Sequence, residues 1–292
     1  KQMKQLLILS GKGGTGKTTI AGAFIKLYNA RAYADCDVDA PNLHLISKHK
    51  NLPKKKDYYG LPKANIDLDL CIECGLCQAN CRFEAIDYQD GYFVDTNACE
   101  GCGVCEFICP ASAVSLKETV AGELFLYKND SVFSTAKLKM GSGTSGKLVS
   151  EVKKQLLENT KKVEIAIIDG SPGIGCPVIA SLSGADIALI VAEPSVSGIS
   201  DMERIIKTAH HFDTKIAVCI NKYDINLSNT EKIEAFCADN NIAYVGRIPY
   251  DSLAVMAINS GKSIVEIDCP SGNAVKAVYA RVIELIQKED NL

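Results

Sequence analysis

Residues 6–19 read LLILSGKGGTGKTT and join an apolar run to a glycine-rich loop and a helix-compatible segment. The pattern G-x-x-x-x-G-K-S/T of phosphate-binding loops begins at Gly11 and ends at Thr18. Glycines let successive backbone N–H groups turn toward phosphate oxygens. An apolar strand before the loop and an amphipathic helix, 17–28, after it provide the context that this pattern requires. The predicted nucleotide-binding residues of the loop are Gly11, Gly13, Gly14, Thr15, Gly16, Lys17, Thr18 and Thr19.

The composition is that of an ordinary globular protein. The chain has 292 residues, of which 47% are hydrophobic and 23% charged, enough for one large or two modest domains. A net charge of -3 gives no general attraction to nucleic acid or anionic lipid, so we expect neither as a partner. No apolar run approaches the ~18 residues that span a bilayer, and no signal-peptide pattern is present, which predicts a cytoplasmic protein. Whether Lys1 and Gln2, which precede Met3, are native stays open.

Acidic residues follow two predicted strands. A short strand candidate ends in Asp35, and Asp37 follows it. The near-continuous apolar run 163–168 predicts a strand that is buried on both faces and ends at Asp169. In a chain with a phosphate-binding loop, an aspartate at such a strand end is expected to hold Mg²⁺ through water. The glycines of 170–175 suit a switch segment that moves with the terminal phosphate.

Strand and helix patterns alternate in the rest of the chain, which predicts an α/β fold with a doubly wound, mostly parallel sheet. The later strand candidates are 187–191, 216–220 and 242–248. The helix candidates are 147–159, 199–211, 230–239, 252–259 and 274–287. The last helix places apolar residues on one face and ends in acidic residues, so we expect it to pack on the core rather than on a membrane.

A second lysine in the loop, Lys12, gives the pattern K-G-G-x-G-K-T. Together with D-x-D-x-x-x-x-N at 35–42, this resembles the deviant-Walker ATPases: the MinD, ParA and Mrp group and the nitrogenase iron protein. The resemblance implies a homodimer that forms on ATP binding, in which Lys12 reaches the partner's phosphates and Asp37 assists the attacking water. The implied catalytic residues are Lys12, Lys17 and Asp37. The implied Mg²⁺-site residues are Thr18, Asp37 and Asp169.

Two strand ends carry groups that suit a nucleotide base. Residues 221–224 read N-K-Y-D, like the guanine signature of GTPases, and residues 248–251 read I-P-Y-D. The resemblance to the deviant-Walker group favours adenine, and guanine stays open. The predicted base-site residues are Asn221, Pro249 and Asp251.

Eight cysteines form two matching runs with the spacing C-x₂-C-x₂-C-x₃-C. The first run is Cys71, Cys74, Cys77 and Cys81, and the second is Cys99, Cys102, Cys105 and Cys109. Every member of the second run lies 28 positions after its counterpart, which indicates an internal duplication. The spacing resembles bacterial two-cluster ferredoxins, in which the fourth cysteine of each run ligates the other cluster. This implies one 4Fe-4S cluster on Cys71, Cys74, Cys77 and Cys109, and a second on Cys99, Cys102, Cys105 and Cys81.

Structural zinc is the alternative for these cysteines, although zinc sites usually take two separated ligand pairs. Arg82 departs from the ferredoxin pattern, which has proline there, and Asp90-Gly91 predicts a hairpin between the two runs. Cys176 follows the switch glycines, but one such cysteine per subunit does not suffice for a bridging cluster, and no partner cysteine was found for it.

Three further segments separate the modules. The five lysines of 48–56 predict a solvated surface segment or a docking site for an acidic partner. Residues 119–138 predict two or three strands. A second G-x-x-x-x-G-K at 141–147 lacks the hydroxyl residue and the preceding buried strand, so we interpret it as a flexible loop that opens a helix, with contact to a partner left open.

The resulting prediction is a P-loop ATPase domain, 1–60 and 119–292, interrupted by a two-cluster ferredoxin domain, 61–118. The implied cofactors are ATP, Mg²⁺ and two 4Fe-4S clusters. We expect ATP binding and dimerisation to gate electron transfer or cluster delivery to an unidentified redox or cluster-accepting partner. The alternatives are a ParA- or MinD-like positioning or assembly switch with structural clusters, and a Mrp-like cluster carrier, which the missing C-P-x-C motif weakens. The sequence does not identify the partner, the pathway or the cluster potentials.

Overall fold

The computed structural model describes residues 3–45, 49 and 51–288. Expectations about Lys1, Gln2, Lys48, Lys50 and the acidic C-terminal end lie outside these residues. The strands are β1 (Lys4–Ser10), β2 (Ala32–Asp35), β3 (Lys54–Tyr59), β4 (Lys63–Ile66), β5 (Ile86–Tyr88), β6 (Tyr92–Val94), β7 (Val114–Lys117), β8 (Val120–Lys128), β9 (Val132–Leu138), β10 (Ile165–Pro172), β11 (Ile187–Ala192), β12 (Lys215–Asn221) and β13 (Ala243–Ile248). The helices are α1 (Lys17–Tyr28), α2 (Leu76–Ala79), α3 (Val104–Phe107), α4 (Ser145–Asn159), α5 (Cys176–Leu182), α6 (Val196–His210), α7 (Leu227–Asp239), α8 (Ser252–Asn259) and α9 (Pro270–Lys288).

The main sheet has, within the described ranges, nine strands in the order β13-β12-β11-β1-β10-β2-β9-β8-β3. The pairings from β13 through β9 are parallel, whereas β8 and β3 are added by antiparallel pairing. The predicted doubly wound, mostly parallel α/β sheet is therefore confirmed. Parallel order brings the carboxyl ends of β1, β2, β10, β11 and β12 to one edge, where open α/β sheets bind their ligands.

Alternate side chains of β1 enter two separate hydrophobic layers. Leu6 and Ile8 belong to the layer formed with α1 and α9, while Leu7 and Leu9 belong to the layer formed with α4 to α7. All four side chains are fully buried, and burial of each contributes roughly 1.5–3 kcal/mol. A central strand with apolar residues on both faces is held in place by both layers, so the loop that follows it starts from a rigid support.

The C-terminal helix α9 packs on the core, as its apolar face predicts. Val275, Val278, Val282 and Ile286 are buried in the same layer as α1. Within the part of the chain that the structure describes, no helix is both long and apolar enough to cross a membrane.

The lysine-rich segment contains a strand that the sequence did not predict. Lys54, Lys55 and Lys56 are exposed at the start of β3, the edge strand of the main sheet. Their exposure agrees with the predicted solvated surface, and lysines on an edge strand discourage pairing with another chain.

The prediction of two or three strands between 119 and 138 is confirmed, because β8 and β9 form a hairpin there.

The cysteine-rich segment builds two small sheets of its own, β4 with β7 and β5 with β6. The predicted hairpin at Asp90-Gly91 is confirmed by the pairing of β5 and β6. The duplication also extends to the backbone, since α2 and α3 start 28 positions apart after glycines with φ of 76° and 79°. Glu84 and Ser112, again 28 positions apart, share a positive φ of 52° and 51°. The segment is thus two copies of one small unit.

Candidate nucleotide site and cysteine cavities

The glycine-rich loop lies between β1 and α1 at the carboxyl edge of the main sheet. Gly14 and Gly16 adopt positive φ values of 79° and 91°, a conformation that favours glycine. A Cβ on Gly13 or Gly14 would meet no atom within 4 Å, whereas a Cβ on Gly11 would lie 2.2 Å from the Cβ of Asp201. The loop is therefore packed at its first glycine and open at its centre, which suits a concave cradle of backbone N–H groups for an anion.

A buried ion pair joins this loop to β10, the strand that pairs with β1 in the sheet. The ammonium of Lys17 contacts Oδ1 of Asp169, and the two side chains are 5% and 0% exposed. The second oxygen of Asp169, Oδ2, is buried and lacks a hydrogen-bond partner among the described residues. Thr18 places its hydroxyl 3.4 Å from the Lys17 ammonium. The buried carboxylate of Asp169 and the hydroxyl of Thr18 both lie at the Lys17 ammonium, and such oxygen donors are the kind that suit Mg²⁺ or its bound water.

Asp35 fixes the acidic loop after β2. Its carboxylate accepts hydrogen bonds from the backbone N–H groups of Asp37 (3.0 Å), Asn42 (2.9 Å) and Leu43 (2.9 Å). Burial, and then the charge of nearby Asp169, raise the pKa of Asp35. The pKa of Asp37 is also raised, chiefly by burial. Asp35 thus acts as a loop anchor that positions Asp37, a role that the D-x-D pattern contained but that we had not assigned.

Lys12 belongs to a charge network within its own subunit. Its ammonium lies 2.6 Å from Glu193 Oε2 and 3.2 Å from the hydroxyl of Ser195. Lys222 contacts the other oxygen of Glu193 at 3.1 Å and donates to the Gly14 carbonyl at 2.9 Å. Burial alone would raise the pKa of Glu193, but hydrogen bonds and charges from both lysines outweigh it and lower that pKa. Glu193 was not predicted, and it links the loop to the ends of β11 and β12.

Replacement of Glu193 by glutamine is expected to tighten ATP binding. The substitution removes a negative charge that competes with phosphate for two lysines, so the dissociation constant should fall by about three- to tenfold, equivalent to about 1 kcal/mol. Equilibrium titration with a fluorescent ATP analogue measures this change. Glu231→Gln on the exposed face of α7 is the matched control. Unchanged affinity in Glu193→Gln would mean that Glu193 does not compete with the nucleotide.

The predicted base-site residues lie at the same edge, at the end of β12 and in the loop after β13, where Asn221 and Asp251 already bond to protein. The Asn221 amide donates to the Thr15 carbonyl at 2.6 Å, so it supports the loop as well as ending β12. Asp251 accepts hydrogen bonds from the Leu253 N–H at 2.9 Å and from the Ser271 hydroxyl at 2.9 Å. Burial tends to raise the pKa of Asp251, but these hydrogen bonds outweigh it and lower that pKa. Their roles toward a base stay predictions.

Pro249 follows β13, and its neighbour Tyr250 ties this loop to the loop after β12. The Tyr250 N–H donates to Asp224 Oδ1 at 2.7 Å. Asp224 is the last residue of the N-K-Y-D stretch. In the described conformation this carboxylate oxygen therefore bonds the backbone, which gives no support to its use in guanine recognition.

Two small cavities in the cysteine-rich segment each contain four cysteines. The first cavity is lined by Cys71, Cys74, Cys77 and Cys109. The second cavity is lined by Cys81, Cys99, Cys102 and Cys105. These are the two crossed sets that the resemblance to two-cluster ferredoxins implies, in which the fourth cysteine of each run joins the other run. All eight are free thiols, and the other lining residues are largely apolar.

Backbone N–H groups point at the crossed cysteines. Ala85 donates to Cys81 Sγ at 3.4 Å, and Ala113 donates to Cys109 Sγ at 3.3 Å. Burial tends to raise the pKa of the Cys109 thiol, but backbone hydrogen bonds from Ala113 and its neighbours outweigh it and lower that pKa. N–H donors at sulfur stabilise a thiolate, which is the form that ligates metal.

The cysteines do not converge as ligands of a single ion. Within residues 3–45, 49 and 51–288, no group of three or more His, Cys, Asp or Glu side chains is arranged to hold one metal ion. Zinc requires sulfur ligands to meet at about 2.3 Å from one point. In a cubane cluster each cysteine binds a different iron, and the four sulfurs surround a volume instead.

A glycine loop between a strand and a helix, facing a buried aspartate on the neighbouring parallel strand, defines a P-loop nucleotide-binding protein. The family model for the CobQ/CobB/MinD/ParA nucleotide binding domain matches residues 6–264. The chain therefore belongs to this family.

The similar proteins include two uncharacterized proteins of Methanocaldococcus jannaschii. One is 34% identical over 232 residues, covering 77% of this chain and 80% of the relative. The other is 29% identical over 295 residues, covering 91% and 93%. Among solved structures, the septum site-determining protein MinD of Pyrococcus horikoshii, complexed with Mg-ADP, aligns with a TM-score of 0.60 at 17% identity over 98% of each chain. This last likeness shows the fold.

Proposed function

We propose that this protein is a Mg²⁺-dependent ATPase whose ATP binding and dimerisation control iron–sulfur electron transfer, or cluster delivery, to a partner protein. The observation that carries the proposal is the sorting of eight cysteines into two cavities of four, in a chain that also builds a nucleotide site. The Mg-ADP complex named for the MinD of Pyrococcus horikoshii supports the nucleotide part.

The nucleotide would lie with its phosphates in the loop of residues 11–18. The backbone N–H groups of Gly13, Gly14 and Gly16 would bind phosphate oxygens, and Lys17 would leave Asp169 to contact the outer phosphates. This exchange is feasible because the ion pair lies beside the loop. Asn221 would keep the loop in shape through its bond to Thr15.

Mg²⁺ would be held near Thr18 and Asp169, with Asp37 close to the attacking water. When bound, the ion neutralises phosphate charge and so favours hydrolysis. Asp37 is positioned by Asp35, and its carboxylate can accept a hydrogen bond from water and orient it. The protein's part in hydrolysis is thus positioning and charge neutralisation rather than covalent catalysis.

Dimerisation would require Lys12 to change partners. Lys12 is bound to Glu193 and Ser195 of its own subunit, and it would exchange these contacts for phosphate of the second subunit. The phosphates of ATP bound in the facing subunit carry more negative charge than the Glu193 carboxylate, which Lys12 shares with Lys222. These phosphates can therefore replace Glu193 as the partner of the Lys12 ammonium. ATP would then be enclosed between two copies of the chain.

The clusters would occupy the two cysteine cavities, four cysteines to each. When bound, a 4Fe-4S cluster accepts or donates one electron at a time. The N–H groups of Ala85 and Ala113 stabilise the thiolates that hold the clusters. Residues 61–118 carry ten acidic and three basic side chains, a net charge of -7, so the partner is a protein with a basic docking face.

Gated electron transfer is expected to appear as nucleotide-dependent reoxidation. Anaerobic protein reduced with dithionite should pass electrons to cytochrome c, a basic acceptor, faster with Mg-ATP than with Mg-ADP or no nucleotide. Stopped-flow absorbance follows the reaction, and Lys17→Gln serves as the variant that no longer responds to ATP. Identical reoxidation rates with Mg-ATP, with Mg-ADP and without nucleotide would contradict the proposal that ATP gates electron transfer.

The second candidate function is a positioning or assembly switch with structural clusters, favoured by the fold shared with MinD. Both candidates use the same nucleotide site, so ATP hydrolysis does not separate them. A redox titration does: clusters that take up and release electrons reversibly support the electron-transfer role. Clusters that decompose on reduction support the structural role.

A further inference from the structure

The second G-x-x-x-x-G-K stretch forms a loop between β9 and α4 that joins three parts of the molecule. We name residues 141–146 the glycine bridge. Its Thr144 carbonyl accepts a hydrogen bond from the Tyr58 hydroxyl at 3.3 Å, and a Cβ on Gly60 would lie 2.9 Å from the Thr144 hydroxyl. The glycine bridge is thus attached to the point where the chain leaves β3 for the cysteine-rich segment.

One end of the glycine bridge approaches the cysteine-rich segment. A Cβ on Gly141 would lie 3.4 Å from Oδ1 of Asn97, and a Cβ on Gly143 would lie 3.2 Å from Oε2 of Glu100. Glu100 also lines the second cavity, beside Cys99 and Cys102. Glu100 is therefore a neighbour of the glycine bridge and also a lining residue of one cysteine cavity.

The other end of the glycine bridge is packed against the helix that follows the switch segment. A Cβ on Gly146 would lie 3.1 Å from both the Cβ and the carbonyl oxygen of Cys176, the first residue of α5. Gly143 and Gly146 are not among the glycines with positive φ, so their backbone conformation does not require glycine. An added methyl group would require its neighbours to shift slightly, and the fit is tighter at Gly146, where backbone atoms of Cys176 are among the nearest groups.

A buried lysine fastens α5 to α4. The ammonium of Lys153 donates to the carbonyls of Ser181 at 2.6 Å and Ser183 at 2.5 Å, at the C-terminal end of α5. With Gly146 packed at one end of α5 and Lys153 bonded at the other, a displacement of α5 is passed to α4. The loop that opens α4 is the glycine bridge.

We propose that the glycine bridge relays the nucleotide state of residues 169–175 to the second cavity and not to the first. The inference rests on the proposed function, because it requires ATP to move the switch segment. The groups of the cysteine-rich segment nearest to Gly141 and Gly143 belong to Asn97 and Glu100, and Glu100 lines the second cavity. The residues that line the first cavity, among them Cys71, Cys74, Cys77 and Cys109, are not among the nearest neighbours of Gly141, Gly143 or Gly146.

Hydrogen–deuterium exchange of the anaerobic holoprotein tests the relay. On addition of Mg-ATP, we expect exchange to change at residues 11–18, 141–147 and 97–103, but not at 71–77. In Gly146→Ala the change at 97–103 should be lost while protection at 11–18 is retained. Gly143→Ala, whose added Cβ faces only the end of the Glu100 side chain, is the second variant if Gly146→Ala does not fold. Ser142→Ala is the control and should behave like the unaltered protein.

The outcomes separate the relay from the proposed function. No protection at 11–18 in the unaltered protein means that ATP does not bind, which overturns the proposed function and the relay with it. Protection at 11–18 without a change at 97–103, or with an equal change at 71–77, overturns the relay alone. A potentiometric titration followed by electron paramagnetic resonance adds a second readout: the relay requires that ATP shift the potential of one cluster and leave the other in place.

Discussion

Replacing Lys17 with alanine is expected to abolish ATP hydrolysis while the iron–sulfur absorption near roughly 400 nm remains. Loss of one preorganised charge at a reacting phosphate costs about 10²- to 10³-fold in turnover, and Lys17 also completes the phosphate-binding loop. The cysteine cavities share no residue with this loop, so their occupancy should not change. A phosphate-release assay and an absorption spectrum of the same sample measure both quantities.

The buried partner of Lys17 determines how this experiment is controlled. Asp169 is fully buried, and loss of its lysine leaves an unpaired charge that costs about 3–5 kcal/mol. Lys17→Gln keeps a hydrogen-bond donor toward Asp169 and separates loss of catalysis from loss of folding, which circular dichroism monitors. Lys147→Ala alters the corresponding lysine of the second glycine stretch and should hydrolyse ATP normally. Joint loss of hydrolysis and absorption in well-folded Lys17→Gln would contradict the separation of the two sites.

Sequence patterns predicted the elements around the nucleotide loop well because local physics decides them. The run before Asp169 is apolar on both faces, and it becomes β10 in the centre of the sheet. The strand β3 escaped prediction because Lys54, Lys55 and Lys56 show no apolar alternation. Its position depends on pairing with β8, in which partners such as Lys54 and Leu126 are far apart in the chain. Such long-range pairing leaves little local signal.

The candidate site shows the same division between local and long-range information. The resemblance to the deviant-Walker family indicates Lys12 and Asp37, but Glu193 is 181 residues from Lys12 and has no motif of its own. Asn221 was expected to face a base, and its amide bonds the Thr15 carbonyl. Such side-chain contacts depend on which strand ends lie side by side at the edge of the sheet. Composition and periodicity do not specify this strand order.

Replacing Cys109 with serine is expected to remove the cluster of the first cavity, although Cys109 belongs to the second run in sequence. Cys109 lines the first cavity with Cys71, Cys74 and Cys77, and it receives an N–H donor from Ala113. Serine oxygen is a poorer ligand for iron than thiolate. We expect about half of the iron and about half of the visible absorption to be lost, with one cluster still present.

Alkylation of exposed thiols identifies which cluster has been lost. In Cys109→Ser under anaerobic conditions, the newly labelled cysteines should be Cys71, Cys74 and Cys77, as read by mass spectrometry. The matched variant Cys81→Ser should instead expose Cys99, Cys102 and Cys105, because Cys81 lines the second cavity. Labelling of Cys99, Cys102 and Cys105 in Cys109→Ser would mean that each run binds its own cluster, against the crossed arrangement of the two cavities. The proposed relay reaches only the second cavity, so Cys109→Ser should retain the change in hydrogen–deuterium exchange at 97–103 on addition of Mg-ATP. Cys81→Ser, in contrast, alters the second cavity, to which residues 99–103 belong.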